Sequence, residues 1–102
     1  MHSKQKKLVE IIVELFGQAQ LIANQKEIKI QIANISDINN IAKILANNCS
    51  ALIGPVIKEN GIELQSSYIA NLNGSTFLTQ NSFELRHGDR ILIFSSQAGG
   101  YE

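Results

Sequence analysis

The sequence predicts an α+β fold, in which one main helix packs on one face of a mixed sheet of four to five strands. Two observations predict it. Segments near both ends of the chain have the apolar patterns of strands, and one segment between them spaces its apolar residues as a helix does. A single amphipathic helix can cover only one face of a sheet. With 102 residues, the chain has the size of one domain.

Two strands joined as a hairpin are expected at the start of the chain. The first, residues 8–16, has one continuous apolar face, and two glutamates interrupt its other face. The second, Glu27–Ala33, alternates isoleucines with charged or polar residues, which is typical of a strand with one side in water. Gly17 opens the polar connection between them, which is short enough for a hairpin.

The main helix is expected over residues 37–48. Its apolar residues recur at intervals of three and four, and asparagines and a lysine fill the other side. Ser36 is the predicted N-cap, and Asp37 suits the positive end of the helix dipole. Cys49 follows the helix and is expected to be a buried small apolar residue.

The second half of the chain is expected to supply the remaining strands. Residues 68–72 form a third strand, Asn73-Gly74 a tight turn, and Phe77-Leu78 a brief return strand. The closing strand, residues 90–94, is apolar on both faces, as central strands are. The first and last strands are the most apolar, so we place them side by side at the centre of the sheet. The segments expected to be irregular are residues 18–26, 51–67 and 81–85.

Composition excludes several classes of function. The formal net charge is 0 at pH 7, so nothing predicts binding to nucleic acid or to an anionic membrane. No apolar stretch is long enough to span a membrane, and the one cysteine cannot form an internal disulfide, so we expect a cytoplasmic protein. The structured domain is expected over residues 8–96, between a flexible basic leader (1–7) and a flexible C-terminal tail (97–102).

The sequence has almost no residue pattern that could carry out catalysis. The sequence contains no glycine-rich phosphate loop, no nucleophilic triad and no metal-ligand cluster. Its histidines are His2, in the expected leader, and His87, in the expected turn His87-Gly88-Asp89 before the closing strand. We therefore expect a protein that has no catalytic residues of its own and binds no cofactor or metal.

The pair Gly99-Gly100 is the most informative feature, because it follows the closing strand after a short polar link. Glycines add nothing to a core and are costly to order, but they let a chain pass through a narrow space. The alternative is an ordinary small, polar chain end.

Five motifs occur in a fixed order: a first strand ending in Phe-Gly, a helix start, an Asn-Gly turn, a Gly-Asp turn and a small-Gly-Gly segment. Together they resemble the β-grasp sulfur carriers, relatives of ubiquitin that include the molybdopterin-synthase small subunits and the thiamine-biosynthesis sulfur carriers. The resemblance extends from about residue 9 to residue 100. The motifs are Val13-Glu14-Leu15-Phe16-Gly17, Ser36-Asp37-Ile38, Asn73-Gly74, Leu85-Arg86-His87-Gly88-Asp89 and Ala98-Gly99-Gly100.

The resemblance implies a ubiquitin-like β-grasp fold and a sulfur-carrier function in molybdopterin or related cofactor biosynthesis. An E1-like adenylating enzyme would use Mg-ATP to activate the Gly100 carboxylate beside Gly99, and a sulfurtransferase would convert it into a thiocarboxylate. Docking would involve Leu92, Phe94 and Ala98, although a core position is the alternative for Phe94. A synthase large subunit is a further implied partner.

The chain departs from the family's pattern after the second glycine. Gly100 is bonded to Tyr101, so activation requires a protease that removes Tyr101-Glu102. Polar residues 95–97 also stand where the family often has two prolines and an apolar residue. Two other functions therefore stay open: a ubiquitin-like modifier conjugated through Gly100, and a β-grasp interaction module whose tail is not activated.

Overall fold

The computed structural model describes residues 7–96, in which seven strands accompany two α-helices and one short 3₁₀ helix. Five strands form a mixed sheet in the order β2-β1-β7-β4-β5, and β3 and β6 pair separately. The predicted α+β class, with α2 as its main helix, is confirmed. The elements are β1 (Leu8–Leu15), α1 (Gln18–Ala23), β2 (Glu27–Ala33), β3 (Ile35–Ser36), α2 (Ile38–Asn48), the 3₁₀ helix (Ser50–Leu52), β4 (Tyr68–Leu72), β5 (Thr76–Phe77), β6 (Phe83–Glu84) and β7 (Arg90–Ser95).

The first and last strands lie side by side at the centre of the sheet, as predicted. They run parallel, with Val13 opposite Ile91 and Leu15 opposite Ile93. The N–H of Phe16 donates to the carbonyl of Ile93 at 3.2 Å and extends this pairing beyond β1. The predicted antiparallel hairpin of β1 with β2 is also confirmed.

The core lies between the sheet and α2. The helix residues Ile41, Ala42 and Leu45 are fully buried, and the other side of α2 is polar. Because apolar burial is the main favourable term in folding, this face of the helix holds the helix on the sheet. The connection after α2 adds Val56 and Ile57, which are also fully buried. This connection therefore docks on the core although it contains no long element.

The N-cap of α2 is Asp37, not Ser36 as predicted. The Asp37 carboxylate accepts a hydrogen bond from the backbone N–H of Asn40 at 2.8 Å. Ser36 lies in β3, and its hydroxyl accepts a hydrogen bond from the Asn40 side chain at 2.8 Å. Both residue types are good N-caps, so local sequence did not separate them. The pairing of Ser36 with Phe83 in β6 keeps Ser36 extended and moves the helix start by one residue.

Replacing Asp37 with alanine is expected to lower the free energy of unfolding by about 1 kcal/mol, because the Asn40 N–H loses its acceptor. Urea denaturation followed by circular dichroism measures the change. Asn47→Ala is the matched control, since Asn47 is an exposed residue within α2 and alanine favours a helix. An equal loss in both variants would contradict an N-cap role for Asp37.

Short elements occur where the sequence predicted irregular chain. Within residues 18–26, α1 buries Ala19 completely, and Ile22 packs against the core. Six residues are too few for an isolated helix, so burial of these side chains stabilises α1. Within residues 81–85, β6 pairs with β3, and Leu85 N–H donates to the carbonyl of Asn34 at 2.6 Å.

Cys49 is half-buried and packs against the core, so its predicted burial is only partial.

The predicted Asn73-Gly74 turn is confirmed. Both residues have left-handed backbones, with φ of 56° and 77°, as tight hairpin turns require. The Asn73 side chain accepts from the N–H of Arg90 at 2.8 Å and donates to the Asp89 carboxylate at 3.1 Å. The return strand β5 begins at Thr76, and Leu78 N–H extends its pairing by donating to the carbonyl of Ala70. The turn is thus tied directly to the start of β7.

Candidate functional site

The face of the sheet opposite α2 is the candidate site. Along β7, Ile91 and Ile93 are fully buried in the core, whereas Leu92 and Phe94 alternate onto the opposite face and are only half-buried. The cross-strand register places Asn71 of β4 beside Leu92 on this face. β7 was predicted to be apolar on both faces, but only one of its faces packs against the core.

Four apolar side chains on this face form what we call the open-face patch: Phe16, Phe77, Leu92 and Phe94. The Phe94 ring centroid lies 6.4 Å from that of Phe16 and 6.4 Å from that of Phe77. Phe77 is 60% exposed. Within the described residues, none of the four belongs to the core cluster or to the apolar side chains packed against it. Clustered apolar side chains outside the core indicate an interaction surface.

A charged group borders the open-face patch. One guanidinium nitrogen of Arg90 lies 2.9 Å from a carboxylate oxygen of Glu27 and 3.3 Å from one of Glu14. The two glutamates are directly opposite each other on β1 and β2, where like charges repel. The hydrogen bond and charge of Glu27, with a smaller contribution from Glu14, raise the pKa of Arg90. Arg90 therefore offsets the repulsion between the two carboxylates.

A buried polar side chain lies inside the apolar surface. Asn71 is only 7% exposed, and its cross-strand neighbours on this face are Leu92 and Phe77. Its carbonyl oxygen Oδ1 is buried and has no hydrogen-bond partner among the described residues. An unsatisfied buried acceptor costs about 1–3 kcal/mol. Asn71 therefore weakens the fold at the centre of the candidate site.

The residues predicted for partner docking and activation are only partly described. Leu92 and Phe94 lie on the open face, so the alternative core position for Phe94 is not observed. Ala98, Gly99 and Gly100 lie outside residues 7–96, as do the predicted tail that contains them and most of the predicted leader.

Sequence reasoning missed Phe16 and Phe77. Phe16 follows the alternation of β1 onto its less apolar face, which was a usable signal. Phe77 reaches the open-face patch only through the register that the Asn73-Gly74 turn imposes on β5. The apolar pattern within one strand does not determine its register with a neighbouring strand.

The groups considered for catalysis are structural or dispersed. The N–H of Glu10 donates to Nδ1 of His87 at 3.4 Å, and Gly88 N–H donates to the Glu10 carbonyl at 2.8 Å. His87 thus ties its turn to β1. Between residues 7 and 96, no three His, Cys, Asp or Glu side chains are close enough to hold a metal ion. No helix in the same range is long and apolar enough to cross a membrane.

Comparisons with known proteins find structural rather than sequence relatives. No family model matches the chain, and no curated protein sequence matches it. Small archaeal modifier protein 1 (SAMP1) from Haloferax volcanii is 17% identical, with a TM-score of 0.71 over 84% of this chain and 93% of its own. SAMP1 from Methanosarcina acetivorans is 18% identical, with a TM-score of 0.67 over 87% of this chain and 94% of its own.

A third structure extends the similarity to another kind of small protein. It is a candidate molybdopterin converting factor, subunit 1, from Pyrococcus furiosus. It is 16% identical, with a TM-score of 0.63 over 85% of this chain and 97% of its own. At such identities the likeness concerns the fold. The chain therefore has the ubiquitin-like β-grasp fold found in these small modifier and converting-factor proteins.

Proposed function

We propose that the protein is a sulfur carrier that is activated at Gly100 after Tyr101-Glu102 has been removed. The observation that supports this proposal is the position of Leu92 and Phe94 of the open-face patch near the end of β7, which only residues 95–98 separate from the diglycine. Gly100 follows Phe94 by six residues, which span at most about 22 Å when extended. An enzyme that binds the patch therefore needs an ATP site within that distance.

The chemistry requires a free carboxylate and little else from this chain. The Gly100 carboxylate attacks the α-phosphorus of Mg-ATP, which releases pyrophosphate and leaves an acyl-adenylate. A sulfurtransferase persulfide attacks the acyl carbon and displaces AMP, which leaves an acyl disulfide. A second thiol then attacks the sulfurtransferase sulfur, forms a disulfide with it and releases the thiocarboxylate. The adenylating enzyme and the sulfurtransferase supply the catalytic groups. The β-grasp domain supplies the docking surface, and Gly99 and Gly100 supply a backbone without side chains.

The thiocarboxylate would then donate its sulfur in molybdopterin or related cofactor biosynthesis, with a synthase large subunit as the partner. The name of the Pyrococcus structure favours this pathway. The names of the SAMP1 structures favour a second function, in which Gly100 is joined to a lysine of a target protein. A Gly-Gly remnant on lysines of host proteins would distinguish conjugation from sulfur transfer.

The mass of the intact protein, purified from its native host, tests the proposal. We expect a form that ends at Gly100, together with a form in which one carboxylate oxygen is replaced by sulfur. The control is the same strain without its adenylating enzyme, in which the sulfur-containing form should disappear. Cells that contain the enzyme but keep Tyr101-Glu102 on every molecule would contradict the proposal and favour a module whose tail is not activated.

A further inference from the structure

The side-chain carbonyl of Asn71 is the buried side-chain polar group that has no hydrogen-bond partner among the described residues. Its cross-strand neighbours are Leu92, on the central strand, and Phe77, on the edge strand β5. All three side chains belong to the face that the core leaves uncovered. Strand residues with apolar neighbours on both sides are usually apolar themselves. An asparagine here therefore needs an explanation beyond packing.

The missing hydrogen bond concerns one particular atom. Among residues 7–96, Oδ1 of Asn71 is buried without a donor, although the side chain of the nearby Asn73 is fully engaged. Asn73, two residues later, donates to Asp89 and accepts from Arg90. Buried polar atoms are nearly always paired in folded proteins, and the exceptions often have a role in function. Since Oδ1 of Asn71 is an unpaired acceptor inside an interaction surface, it is suited to accept a hydrogen bond from a partner protein.

Phe77, the neighbour of Asn71 on the edge strand, is loosely packed. Phe77 lies on the two-residue strand β5 at the edge of the sheet and is 60% exposed. Its ring is tilted against that of Phe94, with the two ring centroids 6.4 Å apart. An exposed side chain on a short edge strand can change rotamer without disturbing the core. A partner that packs on the patch can therefore displace the ring and reach Oδ1.

We propose that Asn71 determines which partner docks, because its Oδ1 accepts a hydrogen bond from an N–H or O–H group of the adenylating enzyme. This inference rests on the proposed function and adds a requirement to it. The complementary surface is apolar and has one projecting donor that lies between Leu92 and Phe77. An apolar surface without a donor leaves Oδ1 unpaired and binds less tightly.

The test uses the chain truncated after Gly100 and the purified host enzyme that adenylates it. ATP–pyrophosphate exchange gives KM and kcat for the carrier as substrate. For Asn71→Leu we expect KM to rise about tenfold, the effect of losing one buried hydrogen bond, with kcat nearly unchanged. Thermal unfolding of the same variant should be at or above the wild-type temperature, because the unpaired acceptor has been removed. A purely structural asparagine would change the unfolding temperature without changing KM.

Two control variants separate the possible outcomes. Gln31→Leu adds the same apolar side chain on the same face but on β2, away from the open-face patch, and should leave KM unchanged. Phe94→Ala removes the centre of the patch and should raise KM if docking occurs there. A raised KM for Phe94→Ala with a wild-type KM for Asn71→Leu would overturn the role of Asn71 alone. Wild-type values for both would overturn docking at the patch.

A second variant covers a failure of Asn71→Leu to fold. Asn71→Val has a smaller side chain that suits a strand and also lacks the acceptor. We expect it to show the same rise in KM, and a wild-type KM in a folded Asn71→Val variant would overturn the inference.

Discussion

We expect the chain truncated after Gly100 to be adenylated, whereas the full chain is not. In the full chain, the Gly100 carbonyl belongs to an amide bond with Tyr101, so it has no carboxylate to attack ATP. We expect the truncated chain to support ATP–pyrophosphate exchange by the host adenylating enzyme and the full chain to give only the background rate. Equal exchange by both chains would show that activation does not use the Gly100 carboxylate.

A chain truncated after Gly99 is the matched control, because it also ends in a glycine carboxylate. It is shorter by one residue, about 3.5 Å of extended chain. A misplacement of 1 Å can cost about a hundredfold in rate, so we expect exchange with this chain to be lower by at least that factor. Similar rates for the two truncated chains would indicate that the enzyme does not measure the distance between the docking surface and the carboxylate.

The parts of the fold that the sequence predicted are those fixed by local pattern. The central position of β1 and β7 followed from their being the two most apolar strands, and the turn followed from the left-handed preference of Asn-Gly. The elements that were missed are short: α1, β3, the 3₁₀ helix and β6. Their stability comes from tertiary contacts, such as the burial of Ala19, which no window of sequence contains.

For the candidate site, too, only the features set by the pattern within one strand were predictable. Because side chains alternate between the two faces of a strand, Leu92 and Phe94 could be expected on the same face of the closing strand, outside the core. The aromatic partners and the buried amide of Asn71 depend on the register between strands, which a pattern within one strand does not determine. The charged border depends on register too, since Glu14, Glu27 and Arg90 come from three different strands.

Ile93→Ala is expected to have the largest effect on stability, and Leu92→Ala, one residue away on β7, a much smaller one. Ile93 is fully buried and lies between Leu15 and Ala70 on the core face. Removing a buried isoleucine side chain lowers the free energy of unfolding by about 2–5 kcal/mol, a large part of the roughly 5–15 kcal/mol typical of a domain. Chemical denaturation of both variants measures the two losses.

The comparison is informative because both substitutions remove the same number of carbon atoms from adjacent positions. Any difference between them in unfolding free energy therefore reports which face of β7 is the core. We expect Leu92→Ala to keep most of the stability and to raise the KM for adenylation, since its side chain belongs to the open-face patch. A loss of stability as large as that of Ile93→Ala would place Leu92 in the core and remove it from the docking surface.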